Sequence, residues 1–250
     1  MLAEPFAHGR SFIHRLDPRS RIIITAIFSG LIAVADSFAV LVLAFAAALA
    51  TVLLARLDLA AVGRRLAVVI GFLVLLWLIL PLTYEGEIVG QWGPLVWYRP
   101  GVDLAARISL KSIAILSVFT ALLATMPVST LGHALNRIGL PAKLVHLLLL
   151  CYRYIFVIEQ EYRRLNMAMR IRAFRPGTNL HTYRSYAYLV GMLFVRAAAR
   201  AERVHQAMLC RGFQGRFHTM ARFPKHAGNS LFLVAASSVM VILAWLEWMR

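Results

Sequence analysis

The chain has 250 residues, of which 60% are apolar and only 15% charged, and its mean hydropathy is +0.71. That composition excludes a disordered chain, argues against an ordinary soluble domain with about 25% charged residues, and leaves an integral membrane protein as the default class. The formal net charge of +16 comes from 27 basic residues, all but Lys111, Lys143 and Lys225 arginines, against 11 acids; beside long apolar runs it indicates positive-inside topology and anionic lipid headgroups, and no nucleic-acid partner is expected.

Residues 1–21 are polar and basic and lack the apolar segment of a cleaved secretory signal. Five apolar runs follow at Ile22–Ala35, Phe38–Ala55, Leu66–Thr83, Leu104–Thr125 and Leu231–Met249. A span needs about 20 helical residues. The first run is short, and snorkelling of Arg19 and Arg21 would lengthen it. Asp36-Ser37 interrupts the first two runs and predicts a tight hairpin. The N-terminal segment carries Arg10, Arg15, Arg19 and Arg21, and the second connection carries Arg56, Arg64 and Arg65. The third, Tyr84–Asp103, has only Arg99 beside Glu85, Glu87 and Asp103. The positive-inside rule therefore places the N-terminus in the cytoplasm and Tyr84–Asp103 outside, with Trp92, Trp97 and Tyr98 as an interfacial belt. Arg107 and Lys111 oppose the rule locally and are read as snorkelling or pairing with the nearby loop acids.

The stretch from Met126 to Gly228 differs. Leu144–Ile158 is apolar for only 15 residues and contains Arg153; Tyr186–Val195 is apolar for ten. Neither makes a convincing span. Residues 153–226 hold 14 basic residues and three acids, Glu159, Glu161 and Glu202, for a net charge of +11. The expected organisation is an all-α polytopic membrane protein. An N-terminal segment and four spans occupy residues 1–125, a cytoplasmic membrane-hugging unit 126–228, and a closing span 229–250. Ala142 to Phe174 contains neither Pro nor Gly, which permits one helix about 50 Å long. Arg175-Pro176-Gly177 is a stop signal. A second helix is expected over Leu193–Arg211, ended by Gly212.

These two helix ends repeat. Residues 168–174 read Ala-Met-Arg-Ile-Arg-Ala-Phe and residues 207–213 read Ala-Met-Leu-Cys-Arg-Gly-Phe. Arg172 and Arg211, Ala173 and Gly212, Phe174 and Phe213, and Arg164 and Arg203 stand 39 residues apart. An Arg at a helix C-terminus complements the dipole. The small residue would let a partner's backbone approach, and the Phe could anchor against an apolar surface. Two ordinary C-caps or a surface-lying basic helix would explain each copy alone. Matched tips also suit docking into two equivalent grooves of a dimeric partner.

The chain resembles the transmembrane T component of energy-coupling factor transporters, in the CbiQ-like branch of cobalt and nickel importers. His14-Arg15-Leu16-Asp17-Pro18-Arg19 is similar to the family's N-terminal motif. Thr125-Met126-Pro127 and Gly139-Leu140-Pro141-Ala142-Lys143-Leu144-Val145 resemble its mid-chain connection, and Tyr152-Arg153-Tyr154-Ile155-Phe156-Val157 a run of the cobalt/nickel branch. Ala201-Glu202-Arg203-Val204 with Ala207-Met208-Leu209-Cys210-Arg211-Gly212-Phe213 is the most specific match. The family's two Ala-Arg-Gly coupling motifs correspond to Ile171-Arg172-Ala173 and Cys210-Arg211-Gly212, which keep the central Arg and depart at flanking positions.

The resemblance implies a non-catalytic subunit of a bacterial or archaeal cell membrane. It implies two ABC-type ATPase partners, a substrate-binding membrane subunit of the CbiM or NikM kind, and a small accessory membrane subunit. ATP and Mg²⁺ would belong to the ATPases, and the transported Co²⁺ or Ni²⁺ to the substrate-binding subunit, with no cofactor in this chain. In agreement, the sequence has no GxxxxGK[ST] loop. No two of the eight histidines stand three or four residues apart, so no helical metal face is expected. His146 reads as a hydrogen-bonded structural histidine, and Cys151 as packing. Alternatives are a vitamin-transporter T component with the same coupling arginines, a membrane enzyme, or a self-contained channel or carrier. The scattered acids and the apolar first spans argue against the last two.

Overall fold

The computed structural model describes residues 9, 11–84, 88–92, 95–214 and 227–249. Eight helices are described: α1 Pro18–Val34, α2 Phe38–Leu54, α3 Leu59–Thr83, α4 Arg99–Leu122, α5 Val128–Ile138, α6 Ala142–Ile171, α7 Leu180–Cys210 and α8 Ala227–Trp248. The architecture is all-α, apart from a small antiparallel hairpin of β1 (Ile88–Trp92) and β2 (Leu95–Tyr98) between α3 and α4. The expected loop over Tyr84–Asp103 is thus a hairpin and the first turn of α4. Glu85 and Glu87 lie outside the described residues, as do the side chains of Trp92 and Trp97. Among the described residues, three helical segments are long and apolar enough to cross a membrane: Ala60–Thr83, Arg99–Leu122 and Asn229–Trp248. α2 is more apolar still but has 17 residues, and α1, also 17, carries Arg19 and Arg21 in its first turn.

The chain forms two compact units, one running from Gly132 through α7 and the other from the N-terminal side through Leu131 together with α8. In the second of these, α4 packs against α1, α2 and α3, and α8 against α1 and α2. Ala44 and Ala48 of α2 and Ala114 and Ala121 of α4 are fully buried. Small side chains let helix backbones approach where lipid offers no hydrophobic drive to associate. The approach is close at Gly101, where a Cβ would stand 2.5 Å from the Leu80 carbonyl oxygen. Large apolar side chains face outward along α2, α3 and α8, among them Val42, Phe72, Leu78 and Val241; in a bilayer these are lipid-facing.

Polar contacts fix the helix directions. Asp17 caps α1 by accepting from the Arg19 amide at 3.0 Å, with Pro18 at the first helical position. The Asp17 amide donates to Asn229 Oδ1 at 3.3 Å, and the Ser20 hydroxyl bonds the same oxygen at 2.8 Å. The family-like motif therefore clasps the start of α8 to the start of α1. At the far end, Glu247 of α8 accepts the amides of Asp36 and Ser37 at 2.8 and 3.3 Å. α8 thus runs parallel to α1, and Trp248 lies on the side opposite Asp17. Asp36-Ser37 does break the helix, in a three-residue connection between α1 and α2, but the two helices pack mainly on α4 and α8 rather than on each other as a hairpin.

Two basic residues depart from expectation. Arg21 does not snorkel: it is 2% exposed, and its Nη2 donates to the Leu122 carbonyl and to Thr125 Oγ1 at the end of α4. A cation there satisfies orphan carbonyls and complements the dipole. Lys111 pairs with Asp36 at 3.1 Å and donates to the Ala33 carbonyl at 3.2 Å. Its partner is the acid between α1 and α2, 75 residues away, rather than a loop acid.

Candidate functional site

The repeated tips belong to α6 and α7. α6 covers 30 residues and stops at Ile171, three residues short of the longest helix the sequence permits. α7 covers 31 and begins at Leu180, thirteen residues before the expected Leu193. Gly191 hid that continuity; a Cβ there would meet nothing within 4 Å, so the helix runs through it at a cost of about 1 kcal/mol in propensity.

Both tips end in the same hydrogen-bonded motif. The Phe174 amide donates to the Met169 carbonyl at 3.1 Å and the Ala173 amide to the Arg170 carbonyl at 3.0 Å. One repeat later, Phe213 donates to Met208 at 3.1 Å and Gly212 to Leu209 at 2.9 Å. These are paired Schellman caps, with Ala173 (φ 60°) and Gly212 (φ 77°) in the left-handed region. The small residue is therefore explained by the cap's backbone. Pro176-Gly177 lies beyond the α6 cap, which closes without it.

The caps leave Ile171, Arg172, Cys210 and Arg211 exposed. Phe174 and Phe213 are half-buried. Phe174 stacks edge-on against Tyr186 at 5.7 Å and lies 6.2 Å from the His181 ring, so its anchoring is at least partly within its own chain, against α7. Around this corner lies an open groove of about 800 Å³ whose lining includes Met169, Arg172, Phe174, Tyr188 and Met192.

Further along the pair, the buried Glu161 of α6 meets α7. Its carboxylate accepts from Arg196 and lies 3.9 Å from Arg200 and 3.8 Å from Arg164. The Arg196 hydrogen bond, with the charges of Arg196, Arg164 and Arg200, holds the carboxyl below the usual carboxylate range against the opposing effect of burial. Glu159 points elsewhere and pairs with Arg163 on its own helix. Sequence reasoning missed this cluster, although the repeat held a signal for it: Glu161 and Arg200 are themselves 39 residues apart.

The contacts Phe174–Tyr186 and Glu161–Arg196 make α6 and α7 antiparallel. Arg172 stands 11 residues beyond Glu161, and Arg211 stands 11 beyond Arg200. The tips consequently lie at opposite ends of the pair, on the order of 30 Å apart at 1.5 Å rise per residue. Arg164 sits at the cluster, and its counterpart Arg203 is exposed on α7.

His146 bonds the Ala142 carbonyl one turn back, as a structural histidine does. Cys151 is exposed rather than packed, and so is Cys210. Among the described residues, no three His, Cys, Asp or Glu side chains come together as a metal site.

The family model described as cobalt transport protein, CbiQ, matches residues 9–220, which include both tips. The energy-coupling factor transporter transmembrane protein EcfT of Brevibacillus brevis is 29% identical, over 84% of this chain and 83% of its own. The protein of the same name from Bacillus subtilis is 27% identical, over 86% and 85%. The cobalt transport protein CbiQ of Rhodobacter capsulatus is 27% identical over a shorter region, 58% and 59%. Multi-pass membrane character, capped arginine tips and a family match through both of them agree, and the chain belongs to the CbiQ family of energy-coupling factor transmembrane components.

Proposed function

We propose that this chain couples ATP hydrolysis in two partner ATPase subunits to a substrate-binding membrane subunit that imports a divalent transition-metal ion, cobalt before nickel. The observation that carries this reading is the pair of identically capped tips at opposite ends of α6–α7, each presenting an exposed arginine, Arg172 or Arg211. Two like sites at opposite ends of one helix pair suit a partner pair related by two-fold symmetry. The chain itself would take no part in ATP chemistry; ATP and Mg²⁺ would sit in the ATPases. A change in ATPase geometry shifts the equilibrium only through contacts that differ between its states, and the tips would be those contacts. Ile171, Ala173, Cys210 and Gly212 complete the motifs; Phe174 and Phe213 back them. The metal reading draws on the family description and on the Rhodobacter capsulatus relative's name. A vitamin importer would use the same tips, since the transported molecule would be held by another subunit. The arginine-bearing groove of Arg15 and Arg56 on the α1 N-terminal side supports a cytoplasmic N-terminus under the positive-inside rule.

The test is copurification of ATPase from native membranes with the tagged chain. Arg172→Glu and Arg211→Glu are each expected to weaken assembly by about 2–5 kcal/mol, the cost of an unpaired charge buried on docking. ATPase recovery and cobalt uptake that survive both reversals would overturn the assignment.

A further inference from the structure

On the α1 N-terminal side, a groove of about 770 Å³ opens between the single 3-10 turn at Ile13–Arg15 and the end of α2. Arg15 and Arg56 both line it, and among its described lining residues none is an acid. Both arginines are exposed, and although their backbone amides donate to the Phe12 and Leu53 carbonyls at 3.1 and 3.0 Å, neither side chain makes a hydrogen bond or ion pair with the described residues. The nearest acids in sequence are already engaged as helix caps, Asp17 on the Arg19 amide and Asp58 on the Ala60 amide at 3.1 Å. Beneath the arginines are Leu53 and Leu54, 57% and 55% exposed, and the exposed ring of Phe12. That apolar floor continues along the outward face of α2 through Leu49.

Arg56 is also conformationally unusual. Its φ is +48°, the left-handed position just past the end of α2, where its amide closes on the Leu53 carbonyl as Ala173 closes on Arg170.

We propose that this groove binds one anionic phospholipid, its phosphate held between Arg15 and Arg56 and its acyl chains laid over Leu53, Leu54 and Phe12. The charge asks for an anion, and two guanidinium forks match phosphate oxygens in pairs. The floor asks for hydrocarbon. It runs into a lipid-facing helix, so the ligand meeting both demands is a lipid of the adjoining leaflet rather than a soluble phosphate.

The experiment is native mass spectrometry of the full chain released from nanodiscs of phosphatidylcholine doped with phosphatidylglycerol. One phosphatidylglycerol per chain is expected to persist. Arg15→Gln/Arg56→Gln should lose it by about tenfold or more, the scale of charged hydrogen bonds. Arg64→Gln/Arg184→Gln, which removes the same charge elsewhere, should retain it. Arg56→Gly separates binding from folding: it relieves the strained backbone, so thermal stability should hold or rise while lipid retention falls. Glycerol phosphate without acyl chains should not compete at matched concentration. Equal retention by the Arg15/Arg56 variant, equal loss in the Arg64/Arg184 control, or effective competition by glycerol phosphate would each overturn the proposal.

Discussion

At their left-handed cap position, the two helix tips differ by one methyl group in the same backbone setting. Ala173 and Gly212 both hold the left-handed position of a Schellman cap, but only Ala173 carries a Cβ there. A non-glycine residue in that region costs about 1–2 kcal/mol. Glycine returns part of the gain, about 0.5–1 kcal/mol, through its greater freedom in the unfolded chain. Ala173→Gly should therefore stabilise the end of α6 by about 0.5–1 kcal/mol. Gly212→Ala should destabilise the end of α7 by a similar amount. A Cβ at 212 would meet nothing within 4 Å, so that cost is purely one of backbone conformation. Neither change touches Arg172 or Arg211. Hydrogen exchange on the purified chain reads each tip separately. Amides of the last α6 turn should exchange about two- to fivefold more slowly in Ala173→Gly, and those of α7 faster by the same factor in Gly212→Ala. Unchanged or faster exchange in the first variant together with unchanged exchange in the second would refute the argument. The small residues would then have to be explained by what docks on them.

Two further outcomes follow from the packing. The depressed Glu161 carboxyl stabilises the α6–α7 pair above the ordinary carboxylate pKa of about 4.3, and that contribution is lost as the pH falls through the lower folded value. Exchange protection around residues 157–165 and 193–203 should thus drop on acidification below pH 4, and Glu161→Gln should remove the pH dependence along with much of the protection; an unaltered acid transition in that variant would disprove the role. Gly101→Ala should destabilise the α3–α4 contact by about 1–3 kcal/mol, because the obstruction is the Leu80 carbonyl rather than a flexible side chain; a thermal midpoint matching the parent chain would count against the close approach.

Much of this was legible in the residues. The Asp36-Ser37 interruption, the span-length runs, the long proline-free α6 and the matched tips all follow from local pattern. Periodicity does not report partners distant in sequence, and the misreadings cluster there. Arg21 reads as a snorkelling residue near a span end, yet its partners are Leu122 and Thr125, about a hundred positions away. Lys111 has loop acids close by in sequence and chooses Asp36. The start of α7 was obscured because 180–192 mixes Tyr183, Arg184 and Ser185 with a glycine, so no apolar run announces the helix. The 39-residue repeat was read only at its ends; extended inward, it pairs Glu161 with Arg200.

That equivalence has a mechanical consequence. The Glu161 cluster acts as a fulcrum with comparable arms, about 16 Å on α6 and about 16–22 Å on α7 measured from Arg200 and Arg196. A rotation of one helix against the other by about 10° would sweep the tips by about 3–4 Å, in opposite senses and by comparable amounts. Under the proposed docking, neither ATPase would hold the mechanical advantage, so the two would have to move together for the membrane unit to feel a single displacement.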